Sequence, residues 1–369
     1  MSEIRLSNLQ KRFADFTAVQ GSNLVLESGK FVVLLGPSGC GKTTTLRMIA
    51  GLEFPTGGQI TLDGEDVTYR RPRERDIAMV FQLFALYGHM GVRGNLEFPL
   101  RNEGVPRAEI ARRVKEVAAI LRIEHLLDAR INGLAGGDRQ RVALGRAIVR
   151  QPKAFLMDEP LGTLDAEFRE LMCVELRRLH DRLKTTTVFV THDQNEAMAL
   201  ADHIVVMNEG RILQADSPEG IYDFPSELFV ARFIGRPPMN LLALQRPVLR
   251  GDTAVHLAGR AVDVPRVEAE AASAILGIRP EHARLVGADQ GALGGAVEMV
   301  EYFGSHWVAE VRTEAGPVKV LADKSARPEP GDRVGVAFDA RRVVLFDAAT
   351  EKLIPSAITR THTASMRHG

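Results

Sequence analysis

The chain has 369 residues, 45% hydrophobic and 25% charged, which is the composition of a globular protein of about two domains. Basic and acidic residues are equal at 47 each, which argues against a nucleic-acid partner, and two cysteines are too few for a disulfide framework. The longest apolar runs fall far short of the ~20 residues that cross a bilayer, so we expect a cytoplasmic protein that reaches a membrane only through a partner. The basic cluster at 69–75 is expected to be a solvated loop and not a polyanion site.

Between residues 31 and 208, β-branched runs alternate with helical periodicity, which is typical of a sheet covered by helices. Two of the predicted strands run into polar residues that can carry chemistry. The predicted strands are FVVLL at 31–35, AFLMD at 154–158 and TVFVTHD at 187–193, and the predicted helices are 42–50 and 108–121.

A change of pattern follows the helical stretch that ends at Pro237 and Pro238. Apolar residues then recur at every second position between Gly or Pro turns, which indicates a small all-β domain, an OB-like barrel. The alternating positions include Trp307, Ala309 and Val311, then the pairs Val318 and Val320, Val334 and Val336, and Val343 and Leu345. The sequence thus predicts an α/β domain at 1–236, a β domain at 237–354 and a loose tail at 355–369.

The segment GPSGCGKT satisfies G-x-x-x-x-G-K-[ST] between a predicted strand and a predicted helix, which is the context of a phosphate-binding P-loop. Its glycines let backbone N–H groups fold around the β- and γ-phosphates, Lys42 supplies a positive charge, and the Thr43 hydroxyl ligates Mg²⁺. A glycine-rich turn without a ligand is the alternative. The predicted nucleotide-binding residues are Gly36, Pro37, Ser38, Gly39, Cys40, Gly41, Lys42, Thr43 and Thr44.

The segment AFLMDEP is an apolar strand that delivers two adjacent carboxylates, Asp158 and Glu159. Successive strand residues point in opposite directions, so Asp158 can face Mg²⁺ through water while Glu159 stands beside the γ-phosphate and polarises water. A helix cap is the alternative for two acids at a strand end. Together with the P-loop the catalytic interpretation is favoured, but kinases, GTPases, helicases and transporters all remain open.

The segment LAGGDRQRVALGRAIV begins at Leu134 and places two glycines at a predicted helix N-terminus, where N–H groups and the helix dipole form an anion site. It resembles the LSGGQ signature of ABC-type ATPases. The resemblance implies that this turn binds the γ-phosphate of a nucleotide held by the P-loop of a second subunit, in a head-to-tail dimer. The residues concerned are Ala135, Gly136, Gly137 and Asp138.

Further residues extend the resemblance over nearly the whole chain. Phe13 matches the aromatic residue that stacks on adenine, and Gln82 matches the Q-loop glutamine that senses Mg²⁺ and couples to the membrane subunit. Asp165 matches the D-loop aspartate, and His192 matches the switch histidine that contacts the γ-phosphate. Each one alone is more often a core, loop or turn residue, but their order and spacing favour the family. The resemblance implies that Glu159, His192 and Gln82 are catalytic.

Four other segments resemble the maltose-type and glycerol-phosphate-type importer ATPases: FQLFALYGHM, LADHIVVMNEGRILQ, FVARFIGRPPMNLL and LGIRPEH. The resemblance implies an ABC nucleotide-binding domain with a helical subdomain, followed by a β regulatory domain. It further implies ATP and Mg²⁺ as cofactors and a peripheral position on the cytoplasmic face of the inner membrane. The implied partners are transmembrane permease subunits, a second ATPase subunit in a homo- or heterodimer and, indirectly, a periplasmic or extracellular solute-binding protein for a sugar, polyol or glycerol-phosphate-like solute.

The chain departs from the family pattern around the predicted nucleotide site. Ala135 replaces the signature serine, Asp138 replaces the glutamine, Gly162 replaces a D-loop serine, and Gly88 replaces the proline of LYPH. These changes leave open a slowed ATPase, or a weakly catalytic or regulatory subunit paired with a more active paralogue. An ABC ATPase that acts on DNA or ribosomes is disfavoured because the sequence has a single P-loop and no coiled-coil insertion. A GTPase is disfavoured because no N-K-x-D motif occurs.

Overall fold

A computed structural model describes residues 2–81, 85–162 and 164–359 of the chain. The chain divides into two compact units, Met1–Pro218 and Glu219–Gly369. This division comes earlier in the chain than the domain boundary predicted after residue 236. The predicted boundary stays a prediction. No helix within the described ranges is long and apolar enough to cross a membrane.

The first unit contains two β-sheets and the helices that cover them. Its strands are β1 (Ile4–Phe13), β2 (Phe16–Leu26), β3 (Phe31–Leu35), β4 (Gly57–Leu62), β5 (Glu65–Asp66), β6 (Ile77–Val80), β7 (Ala154–Asp158), β8 (Thr186–Thr191), β9 (His203–Asn208) and β10 (Arg211–Asp216). Its helices are α1 (Lys42–Ala50), α2 (Val92–Asn102), α3 (Arg107–Leu121), α4 (Gly136–Ile148), α5 (Ala166–Leu183) and α6 (Gln194–Leu200), and α7 (Pro218–Asp223) begins at its last residue.

The central sheet has the strand order β10-β9-β3-β8-β7-β6 among the described residues, and all pairs except β10 with β9 are parallel. Every residue of β3, β7 and β8 is buried, as expected of parallel strands covered on both faces. The predicted strands at 31–35 and 154–158 and the predicted helix at 42–50 are therefore confirmed. Because β3, β8 and β7 are parallel neighbours, the segments that follow them leave the same edge of the sheet.

Two predicted boundaries differ from the structure for local reasons. The predicted helix at 108–121 begins one residue earlier, at Arg107. The predicted strand at 187–193 ends at Thr191, because the Asp193 side chain accepts hydrogen bonds from Asn195 N and Glu196 N and so caps α6. Asp193, predicted to be the last residue of a strand, is instead the N-cap of α6.

The second sheet is antiparallel with the order β2-β1-β4-β5, and it packs with α1 and the central sheet around one apolar core. Helices α2, α3 and α4 form the predicted helical subdomain between β6 and β7. These helices approach closely at Gly145 of α4, where an added Cβ would lie 2.8 Å from Leu96 of α2 and 3.1 Å from Leu121 of α3.

The basic cluster at 69–75 was predicted to be a solvated loop, and this is wrong for Arg75, which is 1% exposed. Its Nη1 donates to Met48 O at 2.7 Å and to Ile49 O at 2.8 Å, two carbonyls at the C-terminal end of α1. Burial lowers the pKa of Arg75 to about 10. A cation thus stabilises the end of the helix that follows the P-loop.

The second unit is rich in β-strands, as predicted. After α8 (Leu228–Phe233), its strands are β11 (Asn240–Ala243), β12 (Ala254–Leu257), β13 (Arg260–Asp263), β14 (Ala274–Ile278), β15 (Ala283–Val286), β16 (Leu293–Tyr302), β17 (His306–Thr313), β18 (Gly316–Asp323), β19 (Arg333–Phe338) and β20 (Val344–Asp347). Among the described residues they form sheets with the orders β11-β14-β20, β12-β13 and β15-β19-β16-β17-β18. Within the segment predicted to be a tail, Ser356 is buried and Ser356 N donates to Thr359 Oγ1 at 2.8 Å, while residues 360–369 lie outside the described ranges.

The predicted alternation holds in β18, where Val318, Val320 and Ala322 are buried, but it is wrong for β20. In β20, alternate residues pack on α8, while Leu345 between them belongs to an apolar core to which all three sheets contribute. Strand β20 is buried on both faces because a helix covers the side that the pattern left to solvent. The residues packed on Leu228 and Ala231 of α8 are Val344 and Phe346.

Candidate functional site

The segment predicted to be a P-loop connects β3 to α1 and is shaped by its glycines. Gly41 has φ 103°, and a Cβ at this position would clash with Ala18 O. A Cβ at Gly36 would clash with Met207 O. Gly39 has φ 78° and is exposed. The tight turn of the backbone before the N-terminus of α1 therefore requires glycine at positions 36 and 41.

The ammonium group of Lys42 lies inside this curl, and the residue is 4% exposed. Nζ donates to Gly36 O and to Pro37 O, both at 2.8 Å, and lies 3.7 Å from Cys40 Sγ. Cys40 is itself buried, and burial raises the pKa of its thiol. The loop thus holds a positive charge at its centre, and Ser38 beside it is exposed.

Thr43 and Asp158 are brought together from the start of α1 and the end of β7. Thr43 Oγ1 donates to Asp158 Oδ1 at 2.8 Å. Burial raises the pKa of Asp158, because its carboxylate loses hydration that the threonine hydroxyl only partly replaces. A hydroxyl and a carboxylate side by side are oxygen ligands of the kind that Mg²⁺ takes together with water and phosphate, so the residues present fit this ion.

Glu159 and His192 also meet at this edge of the sheet. Glu159 follows β7 with φ 44°, and its N–H donates to Val190 O of β8 at 3.1 Å. His192 follows β8, and its Nδ1 lies 3.6 Å from Glu159 Oε2. Two residues that are distant in the sequence are neighbours in space because β7 and β8 are adjacent parallel strands.

The signature-like turn forms the N-terminus of α4, with Ala135 at the N-cap. Ala135 and Gly136 are exposed. Gly137 packs against Phe168 of α5, since an added Cβ would lie 2.5 Å from the ring. The turn is therefore supported by α5 on one side while its first residues face solvent on the other.

Asp138 is not a free carboxylate, because Arg141 Nη1 lies 3.4 Å from its Oδ1. The same guanidinium lies 4.8 Å from the centre of the Phe168 ring. The negative charge that the sequence placed beside the predicted phosphate site is thus partly offset by a cation one turn along the same helix.

A cavity of about 380 Å³ lies beside the P-loop in the first unit. The described residues around it include Phe16 but not Phe13, the residue predicted to stack on adenine. Both rings are exposed, and the two residues pair with each other at the end of the β1–β2 hairpin. Phe16 was missed by the sequence analysis, although a second aromatic residue three positions after Phe13 could have indicated it.

The remaining predicted residues lie at other points of the first unit or outside the described ranges. Gln82 is outside the described residues. Asp165 is the N-cap of α5, and its Oδ1 accepts a hydrogen bond from a backbone N–H of the first helical turn at 2.9 Å. Thr44 is half-buried in the first turn of α1. Of the unusual glycines, Gly162 is exposed in the turn after β7 and Gly88 lies in the turn before α2.

Comparison with known proteins agrees with this geometry. Residues 19–162 match the ABC transporter family, and residues 276–346 match the TOBE domain. The chain is 44% identical over 362 residues to the sn-glycerol-3-phosphate import ATP-binding protein UgpC 1 of Rhizobium johnstonii, covering 97% of this chain and 98% of that protein. The chain belongs to the ABC transporter ATP-binding proteins that carry a TOBE domain. It is an ABC transporter ATPase.

Two more comparisons describe the relatives of this ABC ATPase. It is 42% identical over 360 residues to the sulfoquinovosyl glycerol transport ATP-binding protein SmoE of Agrobacterium fabrum, covering 96% of this chain and 100% of that protein. Among solved structures it is similar to the bacterial ABC transporter cassette MJ0796, described as dimeric, with a TM-score of 0.54 and 30% identity over 58% of this chain and 98% of that one. The first part of the chain thus shares both its family and its fold with a solved ABC transporter cassette.

Proposed function

We propose that this ABC ATPase powers the import of a sugar, polyol or glycerol-phosphate-like solute, and that it does so by closing a head-to-tail dimer on two Mg-ATP. The observation that carries the chemistry is the approach of Glu159 and His192 to 3.6 Å at the edge of the sheet where Thr43 and Asp158 also meet. The solute class is supported by the names of the relatives UgpC 1 and SmoE.

The residues at the sheet edge have defined parts in this proposal. Backbone N–H groups of the P-loop bind the phosphates, and Lys42 compensates their charge. The Glu159 carboxylate accepts a proton from a water whose oxygen attacks the γ-phosphorus, and this proton leaves with the products. The bond from the γ-phosphorus to the bridging oxygen breaks, and ADP and phosphate leave. His192 orients the γ-phosphate beside Glu159, and Phe13, with Phe16 next to it, supplies the ring for adenine.

Mg²⁺ would be held by Thr43 and, through water, by Asp158, with Gln82 as a further ligand. When bound, it would neutralise charge on the phosphate oxygens. Burial raises the pKa of Asp158 although Thr43, Arg47 and Lys42 act in the opposite direction, so a further cation beside it would stabilise its charged form.

The dimer is proposed because the first residues of the signature-like turn are exposed while α5 supports the turn from the other side. The N–H groups of Gly136, Gly137 and Asp138 would bind the γ-phosphate on the second subunit. Asp165 would lie at the same interface between the two subunits. The solved structure of a similar cassette is described as dimeric, which supports this proposal.

The permease subunits are proposed to contact the segment from Gln82 to Gly91, ahead of α2. Within its described part, Tyr87 is held by Asn95, whose Oδ1 accepts from Tyr87 N at 2.9 Å and whose Nδ2 donates to Tyr87 O at 3.1 Å. A solute-binding protein would act through the permease. In this proposal the membrane subunits, and not the ATPase, select the solute.

The experiment that tests the proposed function is Glu159→Gln, which keeps the shape of the side chain but removes the carboxylate. Turnover of ATP should fall at least about a hundredfold while ATP binding is retained, as expected for loss of a general base. Glu27→Gln, at an exposed carboxylate between β2 and β3, is the matched control. Unchanged turnover in Glu159→Gln would overturn the assignment. A slow wild-type chain that is stimulated by a co-expressed paralogue would instead favour the weakly catalytic alternative.

A further inference from the structure

Arg169 of α5 connects the two loops that carry Glu159 and His192. Its Nη2 donates to Leu164 O at 2.9 Å, in the loop that follows β7 and contains Glu159. Its Nη1 donates to Oδ2 of Asp193, the residue after His192, at 3.5 Å. One guanidinium therefore bridges the loops whose glutamate and histidine approach each other.

Arg169 also contacts the residues on either side of His192: Asp193 directly, and Thr191 through Glu196. Arg169 Nε lies 3.5 Å from Glu196 Oε1, and Glu196 Oε2 accepts a hydrogen bond from Thr191 Oγ1 at 2.6 Å. The Asp193 N–H donates to Thr191 Oγ1 at 3.0 Å. Glu196 is 5% exposed, so water competes little for these contacts.

The described residues of the loop that carries Glu159 make backbone hydrogen bonds to one another on the way from Glu159 to Leu164. Gly162 N donates to Glu159 O at 3.3 Å, and Leu164 N donates to Leu161 O at 3.1 Å. Leu164 also precedes Asp165, which caps α5. Helix α5, which carries Arg169, therefore begins in the same loop that accepts a hydrogen bond from the Arg169 guanidinium.

We propose that Arg169 is a positioning residue that sets the separation of the Glu159 carboxylate and the His192 imidazole. This inference rests on the proposed function, which gives both side chains their roles. A guanidinium suits the task because its five donors lie in one plane and reach several acceptors at once, whereas a lysine ammonium is a single point charge. The contacts to Asp193 and Glu196, both at 3.5 Å, are longer than the contact to Leu164 at 2.9 Å.

The test compares Arg169→Ala and Arg169→Lys with Arg178→Ala, an arginine of the same helix whose exposed side chain pairs with Glu175. We expect Arg169→Ala to lower kcat about tenfold or more, with KM for ATP within about twofold of the wild type, because the P-loop is untouched. Arg169→Lys should recover part of the loss, and Arg178→Ala should leave kcat within about twofold of the wild type.

Two results would overturn the inference: wild-type turnover in Arg169→Ala, or a KM that rises in proportion to the loss of kcat. If Arg169→Ala does not fold, Arg169→Lys decides alone. A kcat below that of the wild type at an unchanged KM then supports the inference, and wild-type values overturn it. Glu159→Gln and His192→Ala are measured in parallel. If these two variants hydrolyse ATP like the wild type, the proposed function has failed and not the role of Arg169.

Discussion

Ala135→Ser is expected to change two separate properties of the protein. Ala135 is the N-cap of α4, with φ −64° and ψ 161°, and a methyl group cannot cap a helix. A serine in this extended conformation can accept a hydrogen bond from the N–H of Gly137 or Asp138. Replacing alanine by serine at an N-cap stabilises by about 0.5–2 kcal/mol, so the free energy of unfolding should rise by ~1 kcal/mol.

The second property is the rate of hydrolysis in the dimer. In the isolated chain the introduced hydroxyl accepts from an N–H of α4, and in the closed dimer, where these N–H groups would bind the γ-phosphate, it can donate to that phosphate instead. A hydrogen bond to a charged group contributes about 1.5–3 kcal/mol, which corresponds to a rate increase of roughly tenfold or more if it acts fully in the transition state. Adding Asp138→Gln should contribute less than ~1 kcal/mol, because Arg141 already offsets the carboxylate at 3.4 Å.

The assays are urea unfolding of the isolated chain and steady-state hydrolysis of ATP, for Ala135→Ser alone and together with Asp138→Gln. Ala166→Ser is the control for stability, because this residue follows Asp165, which already caps α5. ATP affinity of the isolated chain should stay within about twofold, since the signature-like turn acts across the dimer. A variant that is more stable but no faster would refute the slowed-enzyme interpretation. One that is neither would refute the cap geometry as well.

Three further predictions test other parts of the site. Lys42→Ala should weaken ATP binding about tenfold to a hundredfold, because it removes the cation at the centre of the loop; nucleotide titration with unchanged affinity would show that the P-loop assignment is wrong. Gly137→Ala should lower the free energy of unfolding by about 1–3 kcal/mol, because the added methyl would lie 2.5 Å from the Phe168 ring, whereas Gly136→Ala, at an exposed position with open space, should change it by less than ~1 kcal/mol. Equal unfolding curves for the two alanine variants would contradict this packing. A chain that ends at residue 236 should still bind ATP, because the predicted nucleotide-binding residues precede that point; complete loss of binding, measured with a fluorescent nucleotide, would show that the predicted boundary is misplaced.

Local patterns of residues were enough to predict several parts of this protein. The buried strands at 31–35 and 154–158 are continuous apolar runs, and the helix at 42–50 follows glycines that only a tight turn requires, so neighbouring residues carry the whole signal. The order of P-loop, signature-like turn and acidic strand end was enough to indicate an ABC ATPase, because each motif is a short segment whose chemistry depends on its own residues.

Tertiary structure decided what depends on contacts between distant segments. The predicted alternation was wrong for β20 because α8 covers the second face of this strand. Arg75 is buried because carbonyl groups at the end of α1 accept its hydrogen bonds, and α1 is distant from Arg75 in the sequence. The bridge made by Arg169 between two loops could not be predicted, since many partners are available to a charged side chain. Sequence pattern records which face of an element is apolar, but only the packing of the elements decides which polar groups meet.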